Sequence, residues 1–162
     1  MNRVLFATGQ GKKRQILHKG NSMKRFALFA LVLVLGIGFT VSGYSKTAKD
    51  MVRDAERSVK KISVSRAKAM HDKGEILFLD LRTEKEYNAG HIPGAVFVPR
   101  GQLEFKCEHI LHDKDATYVI YAGSRGRASL GVATLYRMGY KNAVKMNGGW
   151  AAWKRAGYPV EY

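Results

Sequence analysis

Residues 117–129 read "TYVIYAGSRGRAS". A run of β-branched and aromatic residues gives way to small residues, and an amphipathic stretch follows. That order predicts a strand, a tight loop and a helix start. Such a loop turns several backbone N–H groups toward one point, and Arg125 and Arg127 stand beside it. The result is a cradle for an anion or a negatively charged reactive group. No residue of the loop is an obvious nucleophile.

Outward from the loop, Ala128, Gly131, Val132, Leu135 and Met138 fall on one helical face, predicting a helix over 127–139. Gly139 is the expected stop. Three more short apolar runs, 76–80, 95–98 and 142–146, read as strands covered on both faces. Ser65 and Gly74 are the expected cap and stop of a helix before the first of them. Strands alternating with helices predict an α/β layered domain with a parallel sheet. Ligands in such folds bind beyond the carboxyl ends of the strands, where loop 122–127 and Asp80 both lie.

With these pieces placed, a family resemblance can be stated. "FLDLRTEKEYNAGHIPGAVFVPR" (78–100), "VIYAGSRGRAS" (119–129) and "MGYKNAVKMNGGWAAWKRAGYPV" (138–160) resemble, in order and spacing, the rhodanese homology domain. The resemblance covers residues 61–160. It implies a three-layer α/β/α fold with a five-stranded, mainly parallel sheet, and no cofactor. In that family the loop opens with a cysteine that carries sulfur as a persulfide between a donor such as thiosulfate and an acceptor. The loop maps onto Ala122, Gly123, Ser124, Arg125, Gly126 and Arg127, so Ala122 stands at the cysteine position.

Sulfur transfer needs a thiolate, and a methyl group has no lone pair to attack with. The cradle itself comes from backbone geometry, a helix dipole and two guanidiniums, which do not depend on the thiol. The leading expectation is therefore an inactive member that keeps an anion-binding loop for thiosulfate, sulfate, phosphate or a protein partner. The alternative is a sulfurtransferase whose cysteine is missing only from this variant. Phosphatases of related fold carry a longer loop and also need the cysteine, so that activity is disfavoured twice.

Other residues invite functional readings. Ser124 lacks an adjacent base and reads as a loop hydroxyl. Cys107, the one cysteine, has no partner for a disulfide within the chain. His109 and His112 follow it, but two imidazoles on one helix side do not make a zinc site. Asp80 and Arg82 read as scaffold, with a charge pair to Glu84 and Glu86 fixing the strand end. His91, in the "GHIPGA" turn, reads as a ring that pins backbone. Trp150 and Trp153 read as packing residues.

Charge is spread unevenly. Seven of the 28 Lys and Arg residues precede Tyr44, whereas all 13 acidic residues follow it. Basic residues in the remainder are scattered rather than striped, which argues against a nucleic-acid partner. Met23-Lys24-Arg25 introduces an uncharged apolar run at 26–41, with small residues at Thr40 near its end and at Ser42, Gly43 and Ser45 after it. That pattern predicts a leader over 1–43 acting as a signal peptide, with Met23 a candidate start and export to a periplasmic or extracellular space. An uncleaved anchor over 26–41 is the alternative, and the only membrane contact expected. A polar helical lead-in at 44–60 and the main domain at 61–162 complete the division.

Overall fold

The computed structural model describes residues 45–162, apart from the side chain of Arg125. The expected leader, cleavage region and anchor lie outside the described residues. Among the described residues, no helix is long and apolar enough to cross a membrane.

The elements run α1 (Ala48–Ser58), β1 (Lys61–Ile62), α2 (Val64–Asp72), β2 (Leu77–Asp80), α3 (Glu84–Asn88) and β3 (Val96–Phe97). A short 3₁₀ turn (Arg100–Gln102) leads into α4 (Leu103–Ile110), β4 (Tyr118–Tyr121), α5 (Arg125–Arg137), β5 (Ala143–Met146) and α6 (Gly149–Arg155). Five strands form one sheet in the order β1-β5-β4-β2-β3. Every pairing in it is parallel.

Strand periodicity sorts the side chains into two cores. Tyr118, Ile120 and Ala122 face the layer that contains Leu103, Cys107, Ala128, Val132 and Leu135. Val119 and Tyr121 point the other way, toward Ala67, Ile92 and Trp153. The sheet is thus covered by α1, α4 and α5 on one side and by α2 and α6 on the other. Both faces are buried, which is why the strands read as continuous apolar runs. Each fully buried side chain of Leu, Ile or Val size contributes about 1.5–3 kcal/mol of transfer free energy.

The helix starts are chemically marked. Thr47 with Asp50, and Thr83 with Glu86, form reciprocal capping boxes at α1 and α3. Ser63, not Ser65, caps α2, accepting from the Arg66 N–H at 3.2 Å. The cap lies two residues early because Ile62 is still held in the sheet, opposite Met146. That two-residue strand, β1, had no apolar run to announce it.

The lead-in helix lies on the domain. Ala55 and Val59 are buried, while Met51 faces solvent. Val52 packs on the first turn of α5: a Cβ added to Gly126 would come within 3.1 Å of a Val52 methyl. Helix α5 itself spans Arg125–Arg137 rather than 127–139. Arg125, Gly126 and Arg127 are therefore the first helical turn, and the loop proper shortens to Ala122–Ser124.

Candidate functional site

Strand β4 delivers Ala122 to the carboxyl edge of the sheet. Its methyl is almost fully covered, at 3% exposure. The Ala122 carbonyl accepts a hydrogen bond from the Trp150 N–H at 3.3 Å, which ties the loop to α6. That approach needs glycine at 149. Its φ is +53°, and a Cβ there would stand 2.3 Å from the Ala122 oxygen. Ser124 occupies the N-cap position of α5 in an extended conformation, yet its hydroxyl makes no capping bond. The first-turn N–H groups of any α-helix lack intrahelical acceptors, so this end is electropositive.

A cavity of about 360 Å³ opens beside the loop, bounded by Ala122, Gly123, Ser124, Lys145, Gly148 and Arg155 among others. The structure thus brings the three loop residues together with two basic residues, Lys145 and Arg155, that the sequence reading did not single out.

Arg127 does not stand free at this cavity. Its guanidinium donates to both oxygens of Glu86, Nη1 to Oε2 at 2.8 Å and Nη2 to Oε1 at 3.1 Å. Glu86 also accepts from the N–H and hydroxyl of Thr83, each at 2.9 Å. The hydrogen bonds from Arg127 come first among the causes that hold the Glu86 carboxyl at about 2, against the opposing pull of burial. The pair lies over the loop: a Cβ on Gly123 would approach Glu86 Oε1 to 2.6 Å.

Asp80 and Arg82 pair with each other and not with the acidic helix. Arg82 Nε lies 3.0 and 2.9 Å from the two Asp80 oxygens, and Nη2 donates to Oδ2 at 2.6 Å. The same Nη2 donates to the Gly90 carbonyl at 2.8 Å. Both side chains are buried, and the indole of Trp150 covers the guanidinium, ring centre 4.5 Å away. Glu86 is unavailable to Arg82 because the capping box and Arg127 hold it.

His91 likewise faces inward. Nδ1 lies 3.1 Å from the Tyr87 carbonyl, and the ring stacks on Tyr87 with centroids 3.7 Å apart. Its backbone pairs with Glu161 in an isolated antiparallel bridge. Burial pushes the Tyr121 phenol well above its ordinary range, reinforced by nearby Asp80. Its hydroxyl accepts the Ile92 N–H at 3.2 Å. This corner is a closed network.

Cys107 sits on the buried face of α4, its Sγ 3.4 Å from Met138 Sδ. Burial pushes the thiol up from its ordinary value, so it is held protonated at neutral pH. His109 and His112 are exposed, whereas Cys107 is buried. Trp153 is buried, and its indole N–H donates to the Pro159 carbonyl at 2.8 Å.

Sequence reasoning missed Lys145 and Glu56. Lys145, in β5, is only 3% exposed. Its ammonium donates to both Glu56 oxygens, at 2.7 and 2.6 Å. Burial alone would raise the Glu56 carboxyl, but hydrogen bonds from Lys145, Ser129 and Lys61 outweigh it and hold the group at about 2. One signal was available: a lysine inside the otherwise apolar run "NAVKM".

Comparison with known proteins agrees with this architecture. Residues 63–156 match the family model described as a rhodanese-like domain. A sulfurtransferase of Allochromatium vinosum is 33% identical over 98 residues, covering 60% of this chain and 90% of that protein. A tRNA uridine(34) hydroxylase of Sodalis glossinidius is 34% identical over 85 residues, which is 50% of this chain but only 24% of the hydroxylase. Among solved structures, a Rhodopseudomonas palustris protein of unknown function superposes with TM-score 0.66 at 29% identity, covering 74% of this chain and 98% of that one. The thiosulfate sulfurtransferase of Pseudomonas aeruginosa gives 0.63 at 25% identity, covering 71% of this chain and 22% of the other. With a family model spanning more than half its length and sulfurtransferases among its relatives, the chain belongs to the rhodanese-like domain family.

Proposed function

We propose that this rhodanese-like domain is a binding module without sulfurtransferase activity, which seats a small oxyanion or the anionic group of a partner in the cavity at loop 122–124. The observation that carries it is Ala122. Sulfur transfer from thiosulfate begins when a thiolate attacks the outer sulfur, forming the persulfide S–S bond as the S–S bond to sulfite breaks. The alanine methyl has no electron pair to open that sequence, and Cys107, buried and protonated, faces the core.

Anion binding is supported by the uncapped start of α5, by the cavity beside it, and by Lys145 and Arg155 in its wall. The apolar run at 26–41, with its basic flank, supports export of the domain to a periplasmic or extracellular space. Cell fractionation with N-terminal sequencing of the mature chain tests that part.

For the site itself, the purified protein is assayed for transfer of sulfur from thiosulfate to cyanide, beside Ala122→Cys. The expected result is no turnover in the natural sequence and measurable turnover in Ala122→Cys, because the cradle is intact around a restored thiolate. Turnover by the natural sequence overturns the proposal.

A further inference from the structure

The residues that line the cavity include a buried lysine. Lys145 follows Ala143 by two residues in β5 and therefore shares its sheet face, the face on which Ile120 and Ala122 also lie. In register Lys145 stands opposite Ile120, so Ala122 is one same-face step further along β4. Lysine at 3% exposure must have a counter-ion, since an unpaired buried ammonium costs several kcal/mol. The counter-ion comes from elsewhere in the fold. Glu56 belongs to α1, outside the stretch that matches the family model, and accepts from Lys145 through both oxygens. Ser129 of α5 donates to the same carboxylate, and Lys61 lies 3.2 Å from it.

The two partners differ in freedom. Lys145 is enclosed and borders the cavity together with Ala122 and Ser124. The Glu56 side chain keeps 31% of its surface in solvent, so it has a path outward that Lys145 lacks. An oxyanion in the cavity can supply the negative charge that the buried ammonium requires.

We infer that Lys145 is a ligand for the anion seated at the loop, and that Glu56 is its internal competitor, carried by the lead-in helix. The inference rests on the anion-binding reading above and adds a residue and a control to it. Occupancy of the site is linked to α1. A dianion such as sulfate or thiosulfate takes over the ammonium as Glu56 turns outward, and any event that lifts α1 from α5 raises affinity. Val52 against Gly126 is the contact through which the helix is seated at the first turn of α5.

The test is calorimetric titration of the full chain with sodium sulfate and sodium thiosulfate, for the natural sequence, Glu56→Gln, Lys145→Met and the double variant. Glu56→Gln is expected to bind about tenfold more tightly, and Lys145→Met about tenfold more weakly. In the double variant the gain disappears, and because the only charge it leaves without its partner is the exposed Lys61, it keeps the experiment readable if either single variant does not fold. Binding by Glu56→Gln alone, with none by the natural sequence, also supports the inference. Equal affinities in the natural sequence and Glu56→Gln overturn it while the loop reading stands. A gain that persists in the double variant is a general charge effect and overturns it too. No binding by the natural sequence or Glu56→Gln overturns both readings together.

Discussion

The carboxyl ends of β2 and β4 lie side by side in the sheet and have opposite characters. At β2, the buried carboxylate of Asp80 and the guanidinium of Arg82 satisfy each other, and the Gly90 carbonyl and the Trp150 ring complete the enclosure. His91 and Tyr121 add hydrogen bonds to backbone. At β4, the chain offers a methyl, a glycine and a serine that caps nothing, beside a cavity of about 360 Å³. One strand end uses its polar groups to hold shape; the other leaves room and positive potential. The proposed binding uses the second, and the Trp150 indole that covers Arg82 belongs to the same residue whose N–H holds the Ala122 carbonyl.

The largest expected effect falls on the rigid end. Asp80→Ala leaves the Arg82 guanidinium buried without its carboxylate, at an expected cost of about 3–5 kcal/mol. Chemical denaturation measures it through the midpoint at constant slope. A cost under about 1 kcal/mol would erase the distinction between the two strand ends. Next in size is Gly149→Ala, where positive φ and the 2.3 Å approach to the Ala122 oxygen act together. The expected loss is about 2 kcal/mol. Because the strained contact is with the loop, the proposed anion affinity is expected to fall with stability in this variant. Unchanged affinity in Gly149→Ala would detach α6 from the site.

How much of this was readable beforehand differs between the same two regions. Four strands announced themselves because burial on both faces demands continuous apolar residues, and the loop announced itself by its small residues before a helical period. The first strand did not, since Lys61 and Ile62 make two residues of edge pairing with no pattern of their own. The ion pairs were the least legible part. The acidic residues Glu84 and Glu86 lie near Arg82 in sequence, yet Glu86 pairs with Arg127, 41 residues away, because α3 folds back over the loop. Lys145 and Glu56 are 89 residues apart. Only the third dimension joins them, although a lysine inside an apolar strand implied that some carboxylate had to be brought to it.

The smallest effect separates the two ends by acid. Glu56, paired with Lys145 of β5, and Glu86, paired with Arg127 of α5, are held at about 2 in the folded chain against an ordinary value of 4.5. A carboxylate lowered on folding contributes stability that is complete above its unfolded value. That contribution disappears as pH falls from about 4.5 to about 2, because the unfolded chain takes up the proton first. The two side chains are 31% and 36% exposed, so solvent screening reduces each contribution to about 1 kcal/mol. Urea midpoints measured across that window should decline, and Glu86→Gln should remove a share of the decline while lowering stability at neutral pH. Glu84→Gln, a change in the same helix at a carboxylate with no ion pair among the described residues, is the matched control for the substitution itself. An acid slope indifferent to Glu86 would mean that the pair over the loop holds nothing in place, and Arg127 would then be free to meet a ligand directly.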